Sequence, residues 1–293
     1  MSEGQRTCFP DWRCNELMRF HNEFHKHFAE RYDNDPRLAF VQTGFGLWAE
    51  YHIYDGPFEL GRTFPSKEFQ KEFFMNMGKW FKDTSWSISI DAADEKHSPF
   101  MKDPELKALR FGNFDDSFMC RDHDGYNHSS WKSFGEERYM TSPFGGEFSY
   151  YSDYDQEHCL DKNGMYSRVF EDEVAKYRMT YIIGNDQPRY QSMQRIKEAS
   201  MSMGYKFRIN DFRVKEDKAA VLVSNIGVAP IYRDAFLVVD GVRGSFNLRN
   251  LMPGDQVWVE FDTKGELTSA SSLKIQCDHL VTGQSIDYYA DIK

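Results

Sequence analysis

No stretch of the chain approaches the roughly 18 consecutive apolar residues that a membrane-spanning helix needs, and residues 1 to 30 lack the apolar core of a signal peptide. A membrane span is therefore not expected, and no signal peptide is read. The five cysteines (Cys8, Cys14, Cys120, Cys159, Cys277) are scattered, with no C-x-x-C pair and no zinc-like spacing, so neither a metal site nor a full disulfide framework is implied. An odd count leaves at least one thiol unpaired. The net charge of -10 is not offset by any Lys/Arg cluster, which makes nucleic acid and anionic membranes poor partners and suits a neutral or cationic ligand better. No His-Glu-x-x-His pattern forms around His21, Glu23 and His25, and that helix face is read as solvent-exposed.

What is present is apolar and aromatic. Hydrophobic residues make up 40% of 293, enough for one large domain or a main domain with a smaller appendage, and not a disordered composition. The 25 Phe, 16 Tyr and 6 Trp fit a ring-rich core, and the same rings also suit sugar-binding clefts, where aromatic faces stack on pyranose faces.

Hydrophobic periodicity divides the chain in two. Asp11 to Arg31 reads as an amphipathic helix with Leu17, Phe20, Phe24 and Phe28 as its apolar stripe. A strand to Thr43 follows, then a helix capped by Ser66 with Phe69, Phe73, Met77 and Trp80 inward. Strands are expected at Trp86–Ile90, Arg110–Phe114, Tyr139–Ser142 and Met179–Ile183, with helical segments at Glu105–Leu109, Tyr166–Lys176 and Tyr190–Met203. Strand, polar loop, then helix is the alternation of βα units on a parallel sheet. Past Gly204 the period becomes two. Val221–Asn225, Ala235–Val239, Val257–Phe261 and Leu273–Cys277 read as strands, and Asp240-Gly241 is a two-residue hairpin signal. The expected fold class is α/β: residues 1–204 form a partial (β/α) barrel and residues 205–293 an antiparallel β-sandwich.

Two phrases carry chemistry. Leu38-Ala-Phe-Val-Gln-Thr-Gly-Phe-Gly-Leu-Trp-Ala-Glu50 runs a buried strand into a turn that ends on a carboxylate, and Arg138-Tyr-Met-Thr-Ser-Pro-Phe-Gly-Gly-Glu147 delivers a second glutamate in the same way. In parallel barrels the catalytic groups stand at the strands' carboxyl ends. Two carboxyls there suggest glycoside hydrolysis. Phe45, Leu47 and Trp48 would desolvate Glu50 toward an acid role, while Tyr150 or Tyr151 would keep Glu147 ionised. By the same strand-end logic Trp48, His52, Asp91, Asp115, Asp116, Tyr150 and Asn185 are expected to contact substrate. The plain alternative for each is a loop or core residue with no duty. The segment Arg121–His128 mixes His and Asp but lacks the EF-hand pattern, so a solvated loop is expected over a calcium site. No cofactor or metal is expected.

Trp48-Ala-Glu50, Asn113-Phe-Asp-Asp116, Ser142-Pro-Phe-Gly-Gly-Glu147, Gly204-Tyr-Lys-Phe207 and Ser224-Asn-Ile-Gly-Val-Ala-Pro230 together resemble a bacterial domain-of-unknown-function family regarded as glycoside hydrolases, similar to the clan-A retaining enzymes. The resemblance implies a (β/α)8 barrel followed by a β-sandwich, a carbohydrate partner, secretion or a periplasmic location, Glu50 as acid/base and Glu147 as nucleophile. Ala49 stands where that family usually has Gly. In clan-A enzymes these glutamates follow the fourth and seventh strands. Counting the strand before Glu50 as the fourth makes the one before Glu147 the seventh, so only strands four to eight are expected here. The first three would come from a preceding segment or another polypeptide, or the protein closes differently. A non-catalytic glycan-binding protein and a barrel remnant with a structural role are the other functional expectations.

Overall fold

The computed structural model describes residues 4–46, 50–53, 55–184, 186–263 and 272–290. Its first part alternates strands with helices: α1 (Asn15–Tyr32), β1 (Phe40–Thr43), α2 (Lys67–Trp80), β2 (Ser85–Ser89), α3 (Pro104–Lys107), β3 (Gly112–Phe118), α4 (Asp124–Phe134), β4 (Phe144–Phe148), α5 (Asp153–His158), α6 (Phe170–Lys176), β5 (Met179–Ile183), α7 (Gln187–Tyr190) and α8 (Met193–Ser200). The strands form one five-stranded sheet in the order β1-β2-β3-β4-β5, and every pair is parallel.

That sheet is curled into a half-barrel. In a flat sheet β1 and β5 would stand about 19 Å apart, four spacings of ~4.8 Å. Instead the ring of Tyr181 on β5 stacks on Phe40 of β1 with centroids 5.0 Å apart, and its hydroxyl lies 3.0 Å from Ser87 Oγ on β2. Tyr181 thus fills the concave side, with Phe114 of β3 beside it at 6.2 Å. Gly145 of β4 makes room for it, because a Cβ there would come within 2.2 Å of the ring. The convex side is the aromatic core expected from composition. Trp86 stacks between Phe74 of α2 and Phe111, and Trp131 of α4 packs on Phe144.

Three local expectations are corrected. The strand expected to end at Phe114 continues to Phe118, so Asp115 and Asp116 are strand residues rather than a loop pair. Residues Tyr139–Ser142 are not a strand: the N–H groups of Thr141 and Ser142 both donate to Arg138 O at 3.0 Å, which closes a turn, and the strand begins at Phe144 beyond Pro143. On α1 the inward stripe is rotated. Phe20 and Phe24 are 62% and 53% exposed, whereas His21 packs on Phe45 and Phe73 and His25 on Phe73. Burial lowers both imidazoles, His21 to about 3, so they bury as neutral rings.

The second part holds β6 (Phe207–Lys215), β7 (Lys218–Asn225), β8 (Ala235–Val239), β9 (Val242–Arg243), β10 (Gln256–Asp262), β11 (Leu273–Cys277) and β12 (Tyr289–Ala290). They make a four-stranded sheet, β10-β7-β6-β12, and a three-stranded one, β11-β8-β9. Ile209, Val221 and Val223 of the first share one apolar core with Leu237, Val239 and Ile275 of the second. Asp240 and Gly241 turn β8 into β9 with φ of 45° and 85°, the left-handed pair that a tight hairpin requires. The pairing is not wholly antiparallel, because β12 runs parallel to β6. This part docks below the half-barrel: the Tyr232 hydroxyl donates to Tyr139 O at 2.7 Å, and the Arg233 guanidinium reaches Leu38 O and Thr84 Oγ1. Among the described residues no helix is long and apolar enough to cross a membrane.

Candidate functional site

The segment after β1 folds back on itself. The N–H groups of Phe45 and Gly46 both donate to the Glu50 carbonyl, at 3.0 and 2.8 Å. Gly46 lies against the returning backbone, where a Cβ would meet His52 O at 2.3 Å. Tyr51 pins the return: it is fully buried against Phe45 and Phe64, and its hydroxyl donates to Gln70 of α2. Glu50 and Tyr51 lie in a bend, across which the residues on either side of Tyr51 meet, whereas along a strand successive side chains point to opposite sides. With Tyr51 in the core, Glu50 and His52 emerge together, and His52 Nε2 lies 2.5 Å from Glu50 Oε2.

The same alternation sorts the strands. On β3, Asn113 and Asp115 face α4: the Asn113 amide donates to Trp131 O and the Asn127 amide to Asp115 Oδ1 at 2.8 Å. Phe114 and Asp116 therefore face the concave side, where the Ser89 hydroxyl of β2 donates to Asp116 Oδ2 at 2.9 Å. On β4, Phe148 packs outward on Phe170 of α6, which leaves Gly145 and Glu147 inward. Asp91, just past β2, is buried, with Oδ2 at 3.8 Å from His52 Nε2. Glu50, His52, Asp116 and Glu147 thus converge at the carboxyl end of the half-barrel, with Asp91 behind His52.

Their electrostatics are those of a dry, acidic cluster. Burial pushes Glu50 up to about 7. Glu147 also rises to about 7, first from burial and then from the charges of Glu50 and Asp116. Burial and Glu50 raise Asp116 to about 6, opposed by His52 and the Ser89 hydroxyl. Burial lowers His52, against the pull of Asp116. Burial therefore favours the uncharged forms of Glu50, Glu147, Asp116 and His52 alike. Sequence reasoning expected Glu147 to be held ionised by a neighbouring tyrosine. Its own neighbours push it the other way.

Of the residues expected to contact substrate, Glu50, Glu147, His52, Asp91 and Asp116 are brought to one place. Asp115 is on the opposite face of β3, where burial and the charge of Asp116 raise it to about 8. Tyr150 lies beyond β4 and is 46% exposed. Trp48 and Asn185 lie outside the described residues. Ser89 escaped the sequence reading, although the alternation Trp86-Ser-Ile-Ser-Ile90 places its serines on one face.

Glu50, His52 and Asp116 each offer one ligand atom, and these atoms lie within 4.8 Å of one another. Among the described residues, 121–128 assembles no such group: Asp124 pairs with Arg168, and His123 Nδ1 meets Ser117 Oγ. All five cysteines are free thiols. Two cavities of about 700 and 480 Å³ lie at the other end of the sheet, one around Asp33, Pro36 and Lys82 and the other between Phe40, Thr180, Tyr232 and Leu280. Neither is lined by the acidic cluster. In parallel α/β sheets function gathers at the carboxyl ends of the strands, which favours the cluster over either cavity. No family model matches the chain, and no curated protein and no solved structure matches it either.

Proposed function

We propose that the chain is strands four to eight of a clan-A-like (β/α)8 barrel followed by a β-sandwich, and that it works as a retaining glycoside hydrolase on a poly- or oligosaccharide. The carrying observation is that Glu50, following the first strand of the sheet, lies within 4.8 Å of Asp116 on the third, and that Glu147 stands on the same concave side of the neighbouring fourth strand. Numbering β1 as the fourth barrel strand makes the two glutamates the residues after strands four and seven. Glu147 attacks the anomeric carbon while Glu50 gives its proton to the departing oxygen; water then enters with Glu50 as base and releases the sugar from Glu147 with net retention. His52, 2.5 Å from Glu50, holds the acid in place, with Asp91 buried behind it, and Asp116 on the concave side would accept hydrogen bonds from sugar hydroxyls. Among the described residues the outer strands β1 and β5 each pair on one side only, so on this reading the remaining three strands would come from a further segment or a partner chain.

The test is a glycan-panel screen of this chain, alone and together with whatever polypeptide completes the barrel, with the anomer of the first-formed product read by NMR. Retention, with losses of about 10²–10⁴-fold in kcat for Glu50→Gln, the usual worth of a general acid, supports the assignment. Unchanged hydrolysis in Glu50→Gln and Glu147→Gln removes it. Glycan binding that survives both substitutions without any turnover in the parent protein would make it a binding protein instead.

A further inference from the structure

We propose that Glu50, His52 and Asp116 form a site for one divalent transition-metal cation of the zinc class, and that its occupancy blocks the hydrolytic use of Glu50. The metal site rests on the geometry of these three side chains alone, and only the block on Glu50 rests on the hydrolase reading above. One imidazole nitrogen and two carboxylate oxygens lie within 4.8 Å of one another. Zinc holds such atoms at about 2.0–2.2 Å, which places ligands of a tetrahedral ion roughly 3.4 Å apart. Rotamer adjustments of about an ångström would draw the set onto one ion.

The donor set selects the metal. Calcium and magnesium take oxygen ligands almost exclusively, whereas an imidazole among carboxylates suits zinc and its first-row neighbours. Three protein ligands leave a position for water, as in open rather than structural sites. The surroundings match such a site. The ligands come from two different segments, the loop after β1 and strand β3, so the folded sheet assembles them. Ser89 donates to Asp116, the kind of outer partner that orients a ligating group, and Asp91 Oδ2, 3.8 Å from His52 Nε2, brings a further carboxyl beside the site. Glu147 adds negative charge at the same end. A cation seated there takes the Glu50 oxygen that hydrolysis would need for the leaving group, so metal and glycan turnover exclude each other.

The experiment uses the full 293-residue chain, stripped with a chelator and dialysed, then titrated with Zn²⁺ by calorimetry and with Co²⁺ by visible absorption, without any glycan. One equivalent per chain is expected, with the intense Co²⁺ bands of a four- or five-coordinate ion. His52→Ala and Asp116→Asn should each weaken binding by more than the roughly 10–100-fold that loss of an outer partner costs. His27→Ala and His158→Ala, which remove the exposed pairs with Glu30 and Asp161, should leave it unchanged. Circular dichroism confirms the fold of each variant, and His52→Gln replaces His52→Ala if the latter fails to fold. Absence of saturable binding, or one-equivalent binding that persists in both triad variants or disappears with a surface histidine, overturns the site. Calorimetry reads the cation alone and activity of the stripped protein reads the hydrolase, so the two proposals fail separately.

Discussion

His52 Nε2 and Glu50 Oε2 lie 2.5 Å apart on either side of Tyr51, which is locked in the core. An acid and a base are thereby held at hydrogen-bond distance beside three more carboxyls, those of Asp91, Asp116 and Glu147. Its chemistry is set by how few protons the cluster can give up at once.

The pH dependence of the proposed hydrolysis follows. Glu50 must carry a proton and Glu147 must not, and burial brings both to about 7. In chelated buffer kcat/KM should trace a narrow bell centred near 7, falling on the alkaline side as Glu50 ionises and on the acidic side as Glu147 takes up a proton. These limbs belong to the coupled cluster. Asp116→Asn removes one of the charges that raise Glu147, so its acidic limb should move to lower pH. A limb that stays in place would show that Asp116 does not act on Glu147.

Above pH 7 stability should fall as pH rises. The carboxyl of Asp115, raised from 3.8 to about 8 by burial and by Asp116, binds its proton more tightly in the folded chain than in the unfolded one. Its contribution is complete below the unfolded pKa and is lost as pH climbs through the folded value. Asp116, Glu50 and Glu147 act with the same sign. Below pH 7 the buried His21 and His25 oppose this, because their depressed folded pKa costs stability as the unfolded imidazoles charge. The melting temperature should therefore be compared above that range, and should be higher at pH 7 than at pH 8.5. Asp115→Asn keeps an oxygen for the Ser117 N–H and should flatten that slope. Equal slopes for the two proteins, measured by scanning fluorimetry, would contradict the assignment.

The curl of the sheet should be visible as an energetic coupling. Gly145→Ala drives a methyl into the Tyr181 ring, and overpacking of this kind costs about 1–3 kcal/mol. Tyr181→Ala empties the concave side, and large aromatic truncations cost about 3–5 kcal/mol. The double variant should be less destabilised than the sum, because the second change vacates the space that the first invades. Additive urea midpoints would mean that the two residues do not meet.

Much of the local structure was legible in the sequence. The strand ending at Thr43, the Ser66-capped helix, the strand before Asp91 and the left-handed turn at Asp240-Gly241 follow from hydrophobic period, capping and turn chemistry, all of which act between near neighbours. Where the reading slipped, two local answers were equally good. Phe20/Phe24 and His21/His25 both repeat at helical spacing, and only the position of Phe45 and Phe73 decides that the neutral imidazoles go inward. Asp115 and Asp116 are chemically alike. Once β3 runs on to Phe118, strand alternation sends one to Asn127 and the other to Ser89.

The sequence by itself determined that two glutamates, each in a glycine-bearing phrase at the end of a parallel strand, would stand at the same edge of one sheet. Only the tertiary structure decided that both turn toward the same concave end. That depends on the curl that brings Tyr181 onto Phe40, and on the loop that returns His52 to Glu50. Both are contacts between segments whose approach is governed by packing of the whole sheet, a sum over many distant pairs that no single stretch of residues encodes.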